Sequence, residues 1–147
     1  MNISDILSED GVLVDFPAET KRSLLENLAA LIADKENLDK SAVFEALWER
    51  ENLGSTGYGG GIAFPHARIE GLSSVLTMIV RLNAPIDFDA ADGQPVDIIA
   101  FMVSPENSGE DHLRVLAELS RLLKNEMVCT QIRQARGAHD IYLALQN

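Results

Sequence analysis

Residues 75–82 and 96–103 form two largely apolar runs, and nothing else in the chain restricts its fold as much. Each has strand length. Met78-Ile79-Val80 and Ile98-Ile99-Ala100-Phe101-Met102-Val103 put apolar side chains on both faces of an extended backbone. Such strands are stable only when both faces are covered. Ala84-Pro85 and Asp92-Gly93-Gln94-Pro95 are expected to break the chain between them.

The covers are legible on either side. Over residues 18–34, Leu24, Leu25, Leu28, Leu31 and Ile32 recur at helical spacing. Asp39 is placed to cap a second helix with Val43, Phe44, Leu47 and Trp48 on its inner face, ending by Leu53-Gly54. After the strands, Ser108 is placed to cap a helix with Leu113, Leu116, Leu119, Leu122 and Leu123 facing inward. Shorter helices are expected over residues 127–134 and 139–146, separated by Gly137. Val12-Leu13-Val14 and Ile62-Ala63-Phe64 read as short strands. Helices before and after a cluster of strands predict a sheet covered on both faces, with the strand order left open. The 147 residues suit a single domain spanning 1–147, without repeat or linker.

Charge and cysteine content narrow the function classes. Twelve basic and 23 acidic side chains give a formal net charge of −11, which disfavours nucleic acid as a partner. Such a surface suits docking to a basic patch, although solubility alone also accounts for it. Cys129 is the only cysteine, so no intrachain disulfide can form, and its helical surroundings read as core. The N-terminus lacks a basic start and apolar run, and no stretch approaches the ~20 apolar residues of a membrane span. A cytoplasmic protein without membrane insertion is expected.

Five of the ten glycines fall within residues 54–61. Glycine loses more backbone entropy on folding than any other residue, so the cluster needs a reason. A phosphate cradle of backbone N–H groups is one; a tight connection is the other. The Gly-Lys-[Ser/Thr] ending of a nucleotide-binding loop is missing, and no cofactor is implied. The segment runs into Phe64-Pro65-His66. Pro65 restricts the backbone, and His66 follows where a short strand is expected to leave the sheet. A neutral imidazole with one nitrogen held by a hydrogen bond is nucleophilic at the other, and histidine forms covalent phosphoryl intermediates. The three histidines have neither i,i+4 spacing nor a cysteine pair, so zinc is not expected.

The segment from Leu53 to His66 resembles the active-site segment of enzyme IIA domains of the bacterial phosphoenolpyruvate-dependent phosphotransferase system. The branch is the fructose–mannitol one, and within it the nitrogen-regulatory subgroup. The resemblance extends over nearly the whole chain, through Glu49-Arg50, Pro85-Ile86-Asp87-Phe88-Asp89, Gln94-Pro95-Val96-Asp97 and His112-Leu113. It implies an α+β fold, a three-layer α/β/α sandwich around a small mixed sheet. It also implies that His66 is phosphorylated through Nε2 by a phosphohistidine on a small histidine phosphocarrier protein. Gly60 stands where relatives often carry Asn or an acid, Phe64 replaces a smaller aliphatic residue, and Ala67-Arg68 replaces Gly-Lys.

Around His66, the resemblance draws in two further candidate catalytic residues. Arg50 offers a planar fork of donors that matches phosphate oxygens; its alternative is a surface pair with Glu49 or Glu51. His112, near Glu110 and Asp111 at a helix start, hydrogen-bonds the phosphoryl group if it faces His66, and otherwise caps its helix. Ser55 and Thr56 either donate to the phosphate or stabilise the turn. His139 reads as a surface residue. Two roles follow for a phosphotransferase component of this kind. One is a free-standing nitrogen-type regulator whose binding to target proteins changes with phosphorylation, which the absence of fused transporter segments favours. The other is a sugar-uptake subunit that relays phosphate to a IIB protein. A binding module without covalent chemistry is the third class.

Overall fold

The computed structural model describes residues 2–146. Two short 3₁₀ turns, Ile3–Asp5 and Glu9–Gly11, lead into strand β1 (Val12–Phe16). Helices α1 (Lys21–Glu36) and α2 (Lys40–Leu53) follow, then β2 (Gly57–Gly59), β3 (Ile62–Ala63), β4 (His66–Ile69), β5 (Leu76–Ile86) and β6 (Val96–Pro105). Helices α3 (Glu110–Leu123), α4 (Glu126–Gln134) and α5 (Ala138–Leu145) complete the described chain.

The fold is α+β. Its six strands form one mixed sheet in the order β1-β5-β6-β3-β2, with β4 also paired to β6. The two apolar runs lie antiparallel at its centre, Met78 opposite Phe101 and Val80 opposite Ile99. Strict alternation divides the core. Met78, Val80, Ile99, Phe101 and Val103 pack under α1 and α2 with Leu24, Leu28, Val43 and Leu47. Ile79, Ile98, Ala100 and Met102 pack under the last three helices with Leu119, Leu123, Ile132 and Ile141. Three layers, α/β/α, result. Arg81, the one cation inside the first run, is accommodated at the edge of that second core. Its Nη1 donates to the carbonyls of Ile132 and Ala135 at 2.9 and 2.7 Å, closing the C-terminal end of α4.

Several local expectations change. Pro85 does not end β5; the strand continues to Ile86, with a register irregularity between Arg81 and Ile86 that tolerates a residue lacking N–H. Asp39 caps α2 through a bond from Ala42 N, but α3 is capped by Gly109 in the left-handed region, φ 57°. The Ser108 hydroxyl instead accepts from Arg68 Nη1 at 2.9 Å. On α3, Leu113 faces outward, 63% exposed, while His112 takes an inner position. Phe44 and Trp48 are half-buried and stack on each other at the rim of the core.

Candidate functional site

His66 does not stand where a strand leaves the sheet. It stands where one resumes. β3 and β4 both run parallel to β6, Ile62 and Ala63 opposite Ile98 and Ile99, then His66 opposite Met102. They are one line of sheet interrupted at Phe64-Pro65. Pro65 has no N–H to offer a ladder, so the break falls where a donor is missing anyway, and its carbonyl still accepts from Met102 N at 3.1 Å. By the period of two, His66 shares the α3 side of the sheet with Met102, while Ala67 faces α1 and α2.

The interruption also supplies the hydrogen bond that a nucleophilic histidine needs. Nδ1 of His66 lies 2.8 Å from the carbonyl oxygen of Phe64. A carbonyl only accepts, so Nδ1 carries the proton and Nε2 is left with its lone pair. Burial lowers the pKa of His66; Arg50 and Arg68 add to that, while the Phe64 bond and Glu51 oppose it. The ring is therefore neutral near pH 7.

Arg50, in the last turn of α2, donates from Nη1 to the Gly54 carbonyl at 2.8 Å. Its neighbour Glu51 turns the other way, into the core, where it is 5% exposed. There the carboxylate binds Lys21 Nζ at 2.9 Å, accepts from Thr56 N at 3.2 Å and accepts a second hydrogen bond from the Thr56 hydroxyl. The Ser55 hydroxyl donates to the Phe88 carbonyl at 2.8 Å and accepts from Gly57 N at 3.0 Å. Both hydroxyls are thus engaged in shaping the loop. Arg50 and His66 line two adjoining hollows, of about 390 and 320 Å³. The first is completed by Thr56, Tyr58, Phe64 and Leu116, the second by Leu53, Arg68 and His112.

His112, in the first turn of α3, meets His66 with ring centroids 5.6 Å apart. Its Nδ1 is hydrogen-bonded to the hydroxyl of Ser104 at the end of β6. Burial, then Arg68, then His66 lower its pKa to about 4, so this ring too is neutral at pH 7. The carboxylates of Glu110 and Asp111 pair instead with Arg114. The remaining candidates lie elsewhere. His139 is exposed and bound to Glu9 at 2.9 Å, and Cys129 is buried, its thiol donating to the Leu123 carbonyl.

The glycines divide by position. Gly57 opposes Ala90 so closely that a Cβ would come within 2.7 Å of its Cα. Gly59, Gly60 and Gly61 form the left-handed turn between β2 and β3, clamped by Asp92 on Gly60 N and by Arg133 on the Gly60 carbonyl. That tip lies away from the His66 hollows; the cluster serves a tight connection there.

Three neighbours were not singled out from sequence. Val43, Leu47 and Glu51 stand at i, i+4 and i+8, so a charge at the end of a buried stripe was a readable signal. Arg68 lies two residues beyond His66 and so on the same side of β4. Ser104 directly follows the second apolar run.

An α/β/α sandwich with a neutral, half-buried histidine at a strand break between two arginines defines a class of protein. The chain belongs to the EIIA 2 family of the phosphoenolpyruvate-dependent sugar phosphotransferase system, whose family model matches residues 5–147. It is 38% identical over 145 residues to a nitrogen regulatory protein of Bradyrhizobium diazoefficiens, covering 99% of this chain and 95% of that one. A fructose-specific EIIA component of Haloferax volcanii is 34% identical over 141 residues, covering 95% and 92%. The crystal structure of nitrogen regulatory protein IIA-Ntr from Neisseria meningitidis superimposes with a TM-score of 0.89 at 33% identity, covering 97% and 98%. No helix among the described residues is long and apolar enough to cross a membrane.

Proposed function

We propose that the chain carries a phosphoryl group on Nε2 of His66, received from a phosphohistidine of a small phosphocarrier protein, and acts as a nitrogen-type regulator. The observation that carries this reading is the Nδ1–H bond from His66 to the Phe64 carbonyl. It bares Nε2 in a hollow lined by Arg50. In the transfer, the Nε2 lone pair forms an N–P bond as the donor's N–P bond breaks, and the electron pair stays with the donor imidazole. His66 keeps its Nδ1 proton throughout. The ring becomes cationic as the bond forms, and the Phe64 carbonyl stabilises that charge. Arg50 neutralises the PO₃ group in flight, the term that dominates phosphoryl transfer. His112 donates to a phosphoryl oxygen. Ser55 and Thr56 shape the wall of the hollow, their hydroxyls held by the Phe88 carbonyl and Glu51 and the Thr56 N–H by Glu51.

The likeness to nitrogen regulatory proteins along nearly their full length supports the regulatory role, with phosphorylation switching which target proteins bind. A second reading, a subunit relaying phosphate to a IIB protein, is supported by the likeness to a fructose-specific component. Incubation with phosphoenolpyruvate, enzyme I and the phosphocarrier tests the common core. A mass gain of ~80 Da, acid-labile and absent in His66→Ala, is expected. An unchanged mass, or full labelling of the variant, rejects it. Adding IIB proteins then separates relay from regulator, since only a relay loses its label to them.

A further inference from the structure

We infer that Ser104 is a positioning residue: its hydroxyl donates to Nδ1 of His112 and so holds the proton of that ring on Nε2, facing the phosphoryl site. This rests on the phosphoryl-carrier reading above. Ser104 is fully buried and His112 nearly so, at 0% and 6% exposure. Among the described residues, the ring is the one hydrogen-bonding partner recorded for the Ser104 hydroxyl. Two arrangements are conceivable. If Nδ1–H donated to Oγ, the serine proton would be buried without an acceptor. If Oγ–H donates to Nδ1, every proton is placed and only an oxygen lone pair goes unused. An unmade buried donor is the costlier fault, so the serine donates.

The consequence falls on the other nitrogen. A neutral imidazole carries one proton, and with Nδ1 accepting, that proton sits on Nε2. His112 opens on the same hollow as His66, Arg50 and Arg68. A neutral ring of the opposite tautomer would present a lone pair to the phosphoryl oxygens and repel them. Ser104 therefore decides whether His112 attracts or repels the dianion, without touching it. The strand supplies the rigidity: Ser104 is held in register opposite Arg68, two residues beyond the Met102–His66 pair. One ladder thus positions the acceptor ring directly and the donor ring through a single hydroxyl.

Two measurements decide it. Long-range ¹H–¹⁵N spectra of the unphosphorylated protein at pH 7 should show His112 protonated on Nε2 with Nδ1 bare; a proton on Nδ1 overturns the proposal. In the transfer assay, Ser104→Ala should slow phosphoryl transfer about three- to tenfold, the worth of one hydrogen bond. In a His112→Ala background the same substitution should cost nothing further. An equal loss in both backgrounds would mean that Ser104 acts through the fold, and an unaltered rate in the single variant would mean that it does not act. Either result defeats the proposal while leaving phosphorylation of His66 intact. A wild-type chain that takes no phosphate would instead defeat the carrier reading, and the proposal with it.

Discussion

The two flanks of β6 are built from similar apolar material and do opposite things. On one side β5 runs antiparallel for eleven residues, with Met78, Ile79 and Val80 sealed in the core. On the other, β3 and β4 run parallel and are broken at Phe64-Pro65. The unbroken flank stabilises the sheet. The broken one turns a backbone carbonyl toward the side chain that follows it, giving His66 a fixed tautomer with its lone pair on Nε2. On the proposed reading, the reactivity of His66 comes from a missing stretch of ladder rather than from an added element.

If that division of labour holds, substitutions on the two flanks should separate stability from chemistry. His66→Ala should abolish labelling yet cost about 1 kcal/mol of stability or less, because it removes a half-buried ring and one hydrogen bond. Ile79→Ala, at a fully buried position, should cost about 2–5 kcal/mol in denaturant unfolding while folded protein still takes phosphate. Comparable destabilisation by both would erase the contrast.

The next largest effect concerns the ring that faces the break. The folded pKa of His112, about 4, lies well below the usual 6.5. Between those values the unfolded chain binds a proton that the folded chain refuses. This contribution is complete above pH ~6.5 and is lost as pH falls toward 4, by about 3 kcal/mol in all. His112→Gln should flatten that part of the stability–pH profile relative to wild type. Parallel profiles would place His112 in water rather than in the core.

Arg50 should act on chemistry alone. Arg50→Ala is expected to slow transfer roughly ten- to a hundredfold, with Arg50→Lys recovering part of the rate. Unfolding midpoints should stay close to wild type, since the guanidinium is partly exposed and binds one carbonyl. Wild-type rates in both variants would return Arg50 to capping the end of α2.

The covered sheet was legible in the sequence because continuous apolar runs and helical stripes report burial directly. Strand order was not, since parallel and antiparallel pairing place the same residues in the same core. β4 is not legible because His66-Ala67-Arg68-Ile69 has only two apolar members and begins at a histidine. Pro85 misled because a proline breaks a strand only where its N–H is needed, and the irregular register after Arg81 removes that need. His66, Arg50 and His112 could be named from resemblance, and the fold brings all three to one hollow. Ser104 and Glu51 could not be paired with their partners in advance. Each acts through a hydrogen bond or ion pair that exists only after α2 and α3 have docked on opposite faces of the sheet.

The most direct test concerns the ring nitrogen that bears phosphate. NMR of the phosphorylated protein, with ¹⁵N-labelled histidine and ³¹P–¹⁵N couplings, distinguishes the two phosphohistidine isomers. With Nδ1 of His66 held by the Phe64 carbonyl, the phosphoryl group should appear on Nε2 of His66, with the Nδ1 proton still present. Phosphate on Nδ1, or on any other residue, would mean that the broken strand does not prepare this histidine for attack.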